Sequence, residues 1–166
     1  GAILFRVVFL LTIPTLSDDV YRYIWDGHVA NNGVSPYTYP LDSPALDYLD
    51  IPQRALANNT WMASPYLPAA QYLFASLIRL FPPNPLAFQV TMLILDLLNG
   101  VLLVKLLRIA CFPGYRVLIY LWNPLVVVEV AHSAHVDAWM IFLTLLALWF
   151  TFAANAPKVF RYLGPI

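Results

Sequence analysis

Residues 86–107 read LAFQVTMLILDLLNGVLLVKLL, a run in which Asp96 and Lys105 are the charged side chains. As an α-helix this run would be about 33 Å long at a rise of 1.5 Å per residue. The hydrocarbon core of a bilayer is about 30 Å thick. The segment therefore predicts a membrane-spanning helix, and it decides the fold class that we expect for the chain.

The composition of the chain favours the same class. Of the 166 residues, 61% are hydrophobic and 11% are charged, whereas about a quarter of the residues in a soluble domain are charged. Nine basic and nine acidic residues cancel, so we expect no binding of nucleic acid. The sequence predicts an all-α, polytopic membrane protein embedded in a lipid bilayer, and its single cysteine, Cys111, excludes an intrachain disulfide.

The distribution of basic residues selects the number of spans. We predict spans at residues 1–16, 86–107, 117–131 and 138–154, with an extracytoplasmic loop at residues 17–85. In this arrangement most basic side chains fall on or near the cytoplasmic side, as the positive-inside rule requires: Arg6, Lys105, Arg108, Arg116, Lys158 and Arg161. The proline of "WNP", Pro124, predicts a kink in the third span.

A fifth apolar segment, residues 67–81, predicts a helix that lies on the membrane. Its sequence, LPAAQYLFASLIRLF, is short, contains Gln71 and Arg79, and is bracketed by prolines on both sides. Short amphipathic helices of this kind fit the interface better than the bilayer core. A fifth span would also move the basic residues around position 108 to the outer side.

The polar cluster SDDVYRYIWDG, residues 17–27, opens the predicted loop. Ser17 is a favourable helix N-cap, and Asp18 and Asp19 would then occupy the first turn, where the helix dipole stabilises anions. We expect this helix to end before Gly33. A cap that faces water is a common role for such acids, so this role stays open beside a catalytic one.

Residues at spacings of three and four share one face of the predicted helix. Arg22 lies one turn from Asp18 and one turn from Asp26, so it can pair with either carboxylate. The face comprises Asp18, Arg22, Trp25, Asp26 and Val29.

A second polar cluster, EVAHSAHVDAW at residues 129–139, follows the third span. The four-span arrangement brings it to the same side as Asp18. His132, His135 and Asp137 are residue types that bind divalent metals, but their spacing matches no strong metal motif. A hydrogen-bonded loop is the commoner origin of such a cluster.

Asp96 lies in the middle of the longest apolar run. A carboxylate at that depth is costly and needs a partner or a cavity. We interpret Asp96 as a residue that locks helices together, with Asn99 or Asn123 as its partner, in preference to a catalytic role.

Two stretches carry a resemblance to a known family: SDDVYRYIWDGHVANNGVSPYTYP at residues 17–40 and NPLVVVEVAHSAHVDAW at residues 123–139. Together they resemble the membrane-embedded GT-C glycosyltransferases, closest to bacterial mannosyltransferases that use polyprenyl-phosphate mannose. The resemblance covers nearly the whole chain but only the front part of such an enzyme. It implies GT-C-like transmembrane helices, a large first extracytoplasmic loop with surface helices, and no activity for this N-terminal part alone.

The resemblance also implies a site. Asp18 would be the general base that takes a proton from the acceptor hydroxyl, and Asp19 would assist or position it. Substrate contacts would come from Tyr21, Arg22, Trp25, Asp26, His135 and Asp137. The resemblance implies no certain cofactor, and a divalent metal at His132, His135 and Asp137 stays a minor alternative.

By resemblance, the enzyme would move a hexose, expected to be mannose, from a polyprenyl-phosphate sugar donor to a glycan or glycolipid acceptor, with inversion. The reaction would take place on the extracytoplasmic side of the plasma (inner) membrane. One rival is a transporter in which Asp18, Asp96 and Asp137 line an ion path. The other is a non-catalytic membrane subunit whose loop is a docking surface.

Overall fold

A computed structural model describes residues 1–163 of the chain, with side chains described up to residue 153. Within residues 1–163 the regular elements are helices and no β-strand occurs, which confirms the all-α prediction for that part. Lys158 and Arg161, which we predict to be cytoplasmic, have side chains outside the described ones. The α-helices are α1 (Ala2–Leu10), α2 (Asp19–Asn31), α3 (Pro68–Leu80), α4 (Pro85–Ile109), α5 (Leu118–Leu121), α6 (Pro124–Val127) and α7 (Asp137–Leu163).

Helix α4 is the element that the longest apolar run predicts. The Asn84 side chain caps its start by accepting from the Leu86 N–H at 2.9 Å, and Pro85 follows at the first helical position, where its missing N–H costs nothing. Among the described residues, α4 is the helix that is long and apolar enough to cross a bilayer. The bent pair Gly114–Leu121 and Pro124–His132 would be a second membrane-spanning segment if its two halves form one span.

The bend in that pair is the predicted kink. The two halves meet at 63° around Trp122 and Asn123. Pro124 begins α6 because a proline can start a helix but cannot continue one, and the Asn123 side chain accepts from the Leu125 N–H at 3.0 Å.

Helix α1 is shorter than the predicted first span, because it ends at Leu10 and not at residue 16. Pro14 disfavours a helical conformation at the residue before it. The Thr12 hydroxyl, which donates to the Phe9 carbonyl at 2.7 Å, closes the last turn. The chain from there to α2 is therefore a non-helical connection.

Helix α3 matches the fifth apolar segment, and at 13 residues it is about 20 Å long, too short to span a bilayer. It packs against α2 through a close backbone approach at Gly27. A Cβ atom at Gly27 would lie 2.6 Å from the Phe74 carbonyl oxygen. Glycine is therefore what lets these two helices come together.

The core lies where α2, α3, α4 and α7 meet. Tyr23 stacks on Phe74 with ring centroids 4.6 Å apart, and Phe88 of α4 closes the same cluster. A smaller apolar cluster under the loop surrounds Trp25, with the Arg54 guanidinium 4.8 Å above its ring. The first cluster fixes α2, and with it the acidic pair, against the long helices, and the second fixes α2 against the loop.

Candidate functional site

The acidic pair lies at the start of α2, in a position slightly different from the predicted one. Asp18, and not Ser17, is the N-cap residue, and its side chain makes no capping hydrogen bond. The Ser17 hydroxyl accepts from the Asp19 N–H at 3.3 Å. Asp18 is exposed, so its carboxylate is open to solvent.

The Asp19 carboxylate is held from two sides. Its Oδ1 accepts from Asn58 Nδ2 at 2.6 Å, and its Oδ2 lies 3.7 Å from His135 Nε2. The structure thus brings the first polar cluster of the sequence to the second one.

His135 lies between two carboxylates. Its Nδ1 is 3.2 Å from Glu129 Oε2, and its backbone N–H donates to the Glu129 carbonyl at 3.0 Å. Glu129 belongs to a π-helical turn, Val128–His132, that continues α6. Asp137 is the first residue of α7 and is exposed beside this group.

Two tyrosines form the inner wall of the site. Tyr23 and Tyr66 meet edge to face with centroids 5.1 Å apart. Burial raises the pKa of the Tyr23 phenol, and its neighbours Tyr66 and Asp19 raise it further. Burial and then Asp19 raise the pKa of Tyr66 in the same way. Both phenols therefore stay protonated at neutral pH and keep their O–H groups.

The predicted substrate contacts on the inner face of α2 lie inside the protein. Arg22 is 2% exposed: its Nε donates to Asp26 Oδ1 at 3.0 Å, and its two terminal nitrogens donate to the carbonyls of Asn59 and Met62 at 3.1 and 2.9 Å. Trp25 is 2% exposed beneath Arg54. These contacts connect α2 to the loop, so we leave Arg22, Trp25 and Asp26 out of the proposed substrate contacts.

Asp26 shares this interior with Gln71. Burial raises the pKa of the Asp26 carboxyl, whereas the positive charge of Arg22 and hydrogen bonds from Ser64 and Gln71 lower it. Gln71 Nε2 donates to Asp26 Oδ2 at 2.9 Å. The pair of Asp26 and Arg22 is thus a structural link between α2, α3 and the loop.

Tyr21 lies at the rim of a cleft of about 440 Å³. The cleft separates the connection between α1 and α2 from the start of α4, and Pro14, Leu56 and Gln89 line it. Tyr21 is half-buried and remains a candidate substrate contact.

His132 is committed to the protein and does not join a metal site. Its Nε2 accepts from the Thr15 N–H at 3.2 Å, so the neutral ring carries its proton on Nδ1 and donates it to Thr12 Oγ1 at 2.9 Å. Among the described residues, no group of three or more His, Cys, Asp or Glu side chains could hold a metal ion.

Asp96 locks helices together, but its partners differ from the predicted Asn99 and Asn123. Its carboxylate pairs with Arg6 of α1 and accepts from the Tyr120 hydroxyl of α5. Arg6 also donates to the Leu121 carbonyl at 2.8 Å. Asn99 instead donates to the Ala138 carbonyl at 3.0 Å.

Sequence reasoning missed Asn58, Glu129 and Tyr66 as members of the site. Asn58 and Tyr66 lie in the loop at sequence positions remote from both polar clusters, and no spacing in the sequence connects them to Asp19. Glu129 begins the second quoted cluster, but a regular α-helix would not be expected to direct its side chain toward His135. The π-helical turn changes the helical register and brings the two residues together.

The chain matches a model of a known protein family. The family model for the N-terminal domain of alpha-(1->6)-mannopyranosyltransferases (MptA_B_family) matches residues 2–162 of this chain. The comparisons with curated proteins and with solved structures give no match. The family match therefore covers both polar clusters of the site and all seven helices at least in part.

Proposed function

Since the chain belongs to the alpha-(1->6)-mannopyranosyltransferase family, as its N-terminal domain, we propose that it transfers mannose from a polyprenyl-phosphate donor to a glycan or glycolipid acceptor. The family description adds the linkage that we propose, an α-(1→6) bond. The attacking group is then the 6-hydroxyl of an acceptor sugar. If the anomeric carbon inverts, an α product requires a donor whose mannose is β-linked.

The acidic pair carries the proposed chemistry. The exposed Asp18 carboxylate takes the proton of the 6-hydroxyl while that oxygen forms a bond to the anomeric carbon of mannose. The bond from the anomeric carbon to the phosphate oxygen breaks, and the lipid phosphate leaves with the electron pair. Asp19, held by Asn58 and close to His135, positions this end of α2.

The arrangement of apolar side chains supports a location in the plasma membrane. Exposed large apolar residues lie on α1, α4, α5 and α7, among them Leu4, Ile94, Ile119 and Phe150. Patches of this kind favour contact with lipid. In the proposed multi-pass topology these helices lie in the bilayer, and α2, α3 and the loop at residues 17–85 lie on the extracytoplasmic side.

The surroundings of Asp96 argue against the rival transporter. Asp96 and Arg6 both have side chains with 0% exposure, and they are neutralised by each other. A residue on an ion path would need access to water or to a second site. The rival of a non-catalytic subunit makes a different prediction, because it requires no chemistry from Asp18.

The experiment measures mannose transfer in membranes that contain the full-length protein, with polyprenyl-phosphate mannose as donor and a short α-mannoside as acceptor. We expect Asp18→Asn to lower kcat by about 10²- to 10⁴-fold, the usual contribution of a general base, with the KM for donor little changed. Asp42→Asn is the matched control, because Asp42 is an exposed acid of the same loop. Wild-type rates for both Asp18→Asn and Asp19→Asn would reduce the pair to a helix cap.

A further inference from the structure

The geometry points to Glu129 as a positioning residue that acts on Asp19 through His135. This inference rests on the proposed function, because it assigns Glu129 and His135 a role in the same transfer reaction. Glu129 fixes the plane of the His135 ring, and the ring presents Nε2 to the Asp19 carboxylate. The acidic pair is thereby held at the start of α2 in one orientation.

The His135 ring contacts Glu129 through one nitrogen and faces Asp19 with the other. Glu129 Oε2 lies 3.2 Å from Nδ1, and Asp19 Oδ2 lies 3.7 Å from Nε2. A carboxylate accepts only from a nitrogen that carries a proton, so the contact with Glu129 uses the Nδ1–H of the ring. Asp137, two residues along the chain on α7, is the third acid near this group.

The 3.7 Å between His135 Nε2 and Asp19 Oδ2 is too long for a hydrogen bond. His135 Nε2 is a buried atom with no hydrogen-bond partner in the described part of the chain. A buried polar nitrogen without a partner is costly. Catalytic hydrogen bonds are often long before substrate binds and shorten in the complex, so we expect Asp19 to approach Nε2 when the acceptor is bound.

The backbone between Glu129 and His135 is unusual in two ways, and both serve this contact. Val128–His132 form a π-helical turn, a rare form that is frequently found at functional sites. Ala134 has a positive φ of 57°, which costs a non-glycine residue energy. The turn lets the backbone N–H of His135 donate to the Glu129 carbonyl at 3.0 Å. His135 therefore contacts Glu129 through both its backbone and its ring.

Asn58 completes the geometry from the opposite side. It donates to Asp19 Oδ1 at 2.6 Å, while His135 faces Oδ2. Without the ring, Asp19 would be held through one oxygen and free to rotate about that bond. Loss of a comparable orienting partner at a metal-bound histidine costs about 10- to 100-fold in activity, and we expect a loss in that range here.

The test is a double-mutant cycle on the full-length protein, with the donor and acceptor of the transfer assay. Glu129→Ala is expected to lower kcat 10- to 100-fold with an unchanged KM for donor and an unchanged melting temperature. Glu129→Gln is expected to stay within about threefold of wild type, because its amide oxygen still accepts from Nδ1–H. Asp42→Asn again serves as the control.

The cycle then combines Glu129→Ala with Asp19→Asn. If Glu129 acts through Asp19, the double variant is no slower than Asp19→Asn alone. Losses that multiply, or a wild-type kcat for Glu129→Ala, would overturn the inference. If Glu129→Ala does not accumulate, His135→Gln combined with Asp19→Asn gives the same cycle and is judged in the same way.

The cycle separates the two proposals. No mannose transfer by the wild-type protein rejects the proposed function itself, and a wild-type rate for both Asp18→Asn and Asp19→Asn rejects the catalytic role of the acidic pair. A slow Asp19→Asn together with a fast Glu129→Ala keeps the proposed function and rejects the role of Glu129.

Discussion

At the scale of single residues, Arg22 shows how a polar side chain in a functional cluster can be structural. Its guanidinium binds Asp26 and two loop carbonyls, and the same loop supplies Asn58 to Asp19. Arg22 thus supports the site without facing it. A buried charge pair of this kind contributes little net stability, but removing one partner leaves the other charge uncompensated.

Arg22→Met is therefore expected to lower the free energy of unfolding by about 3–5 kcal/mol at neutral pH. Without Arg22 the pKa of Asp26 rises further above its ordinary 3.8. The Asp26 carboxyl then makes its full stabilising contribution below pH 3.8, and this contribution is lost as the pH rises through the raised pKa. The measurement is thermal unfolding in detergent at several pH values, where the deficit should shrink in acid.

Arg79→Met is the control for this prediction, since Arg79 is an exposed arginine of α3. It should change the free energy of unfolding by less than about 0.5 kcal/mol. A stable Arg22→Met protein whose sole defect is a raised KM for donor would show that Arg22 contacts substrate after all.

At the scale of elements, the packing of α2 on α3 depends on one missing side chain. The closest obstacle to a Cβ at Gly27 is the backbone of Phe74 at 2.6 Å, which cannot rotate away as a side chain would. The helices would have to separate, and the stack of Tyr23 on Phe74 would open with them. The inner wall of the site depends on this contact.

Gly27→Ala is expected to destabilise the protein by about 1–3 kcal/mol, the usual cost of overpacking a core, and to lower transfer activity because Tyr23 and Tyr66 move. Gly114→Ala is the matched control, because its Cβ would meet Val104 at an ordinary 3.7 Å. The measurement is the melting temperature of each variant, which should be lower for Gly27→Ala than for Gly114→Ala. Equal stability would mean that α2 and α3 can separate at no cost.

At the scale of the whole molecule, one polar network and one long helix organise the packing of α1, α4, α5 and α7. Asp96 of α4 connects α1 through Arg6 and α5 through Tyr120, so three helices share a single buried carboxylate. Helix α7 packs along α4, and Asn99 of α4 donates to the Ala138 carbonyl of α7. The start of α7 is thereby fixed next to Asp19, which is what the site needs.

The proposed topology predicts which positions can be labelled from outside. Cys111 is exposed after the end of α4 and should face the cytoplasm, so a membrane-impermeant thiol reagent should miss it in intact cells. Ala45→Cys, at an exposed loop position in a Cys111→Ser background, should react. Ser133 is a poor probe because it is fully buried.

Solubilised membranes supply the control for this experiment, since both cysteines should react there. Labelling of Cys111 in intact cells would reverse the orientation. It would also leave the acidic pair on the cytoplasmic side, where the proposed extracytoplasmic reaction could not take place.

The sequence by itself determined what depends on local pattern. The long apolar run predicts α4, and the proline of "WNP" predicts the kink, which is observed as a 63° bend. The turn residues predict that α2 ends before Gly33, and it ends at Asn31. The two quoted stretches also led to the mannosyltransferase family that the family match shows. These features can be predicted from the sequence because an apolar run, a proline and a glycine each determine the backbone conformation within a few residues of their own position.

The tertiary structure decided which side chains meet. Arg22 pairs with Asp26 and not with Asp18, Asp96 pairs with Arg6, and His132 turns both nitrogens to the connection after α1. Helical spacing allows several partners for each of these groups. Packing selects the partner, because a buried charge or ring nitrogen pairs with the group that the folded chain brings within hydrogen-bonding distance. For Arg6 and His132 these partners lie 90 or more residues away in the sequence.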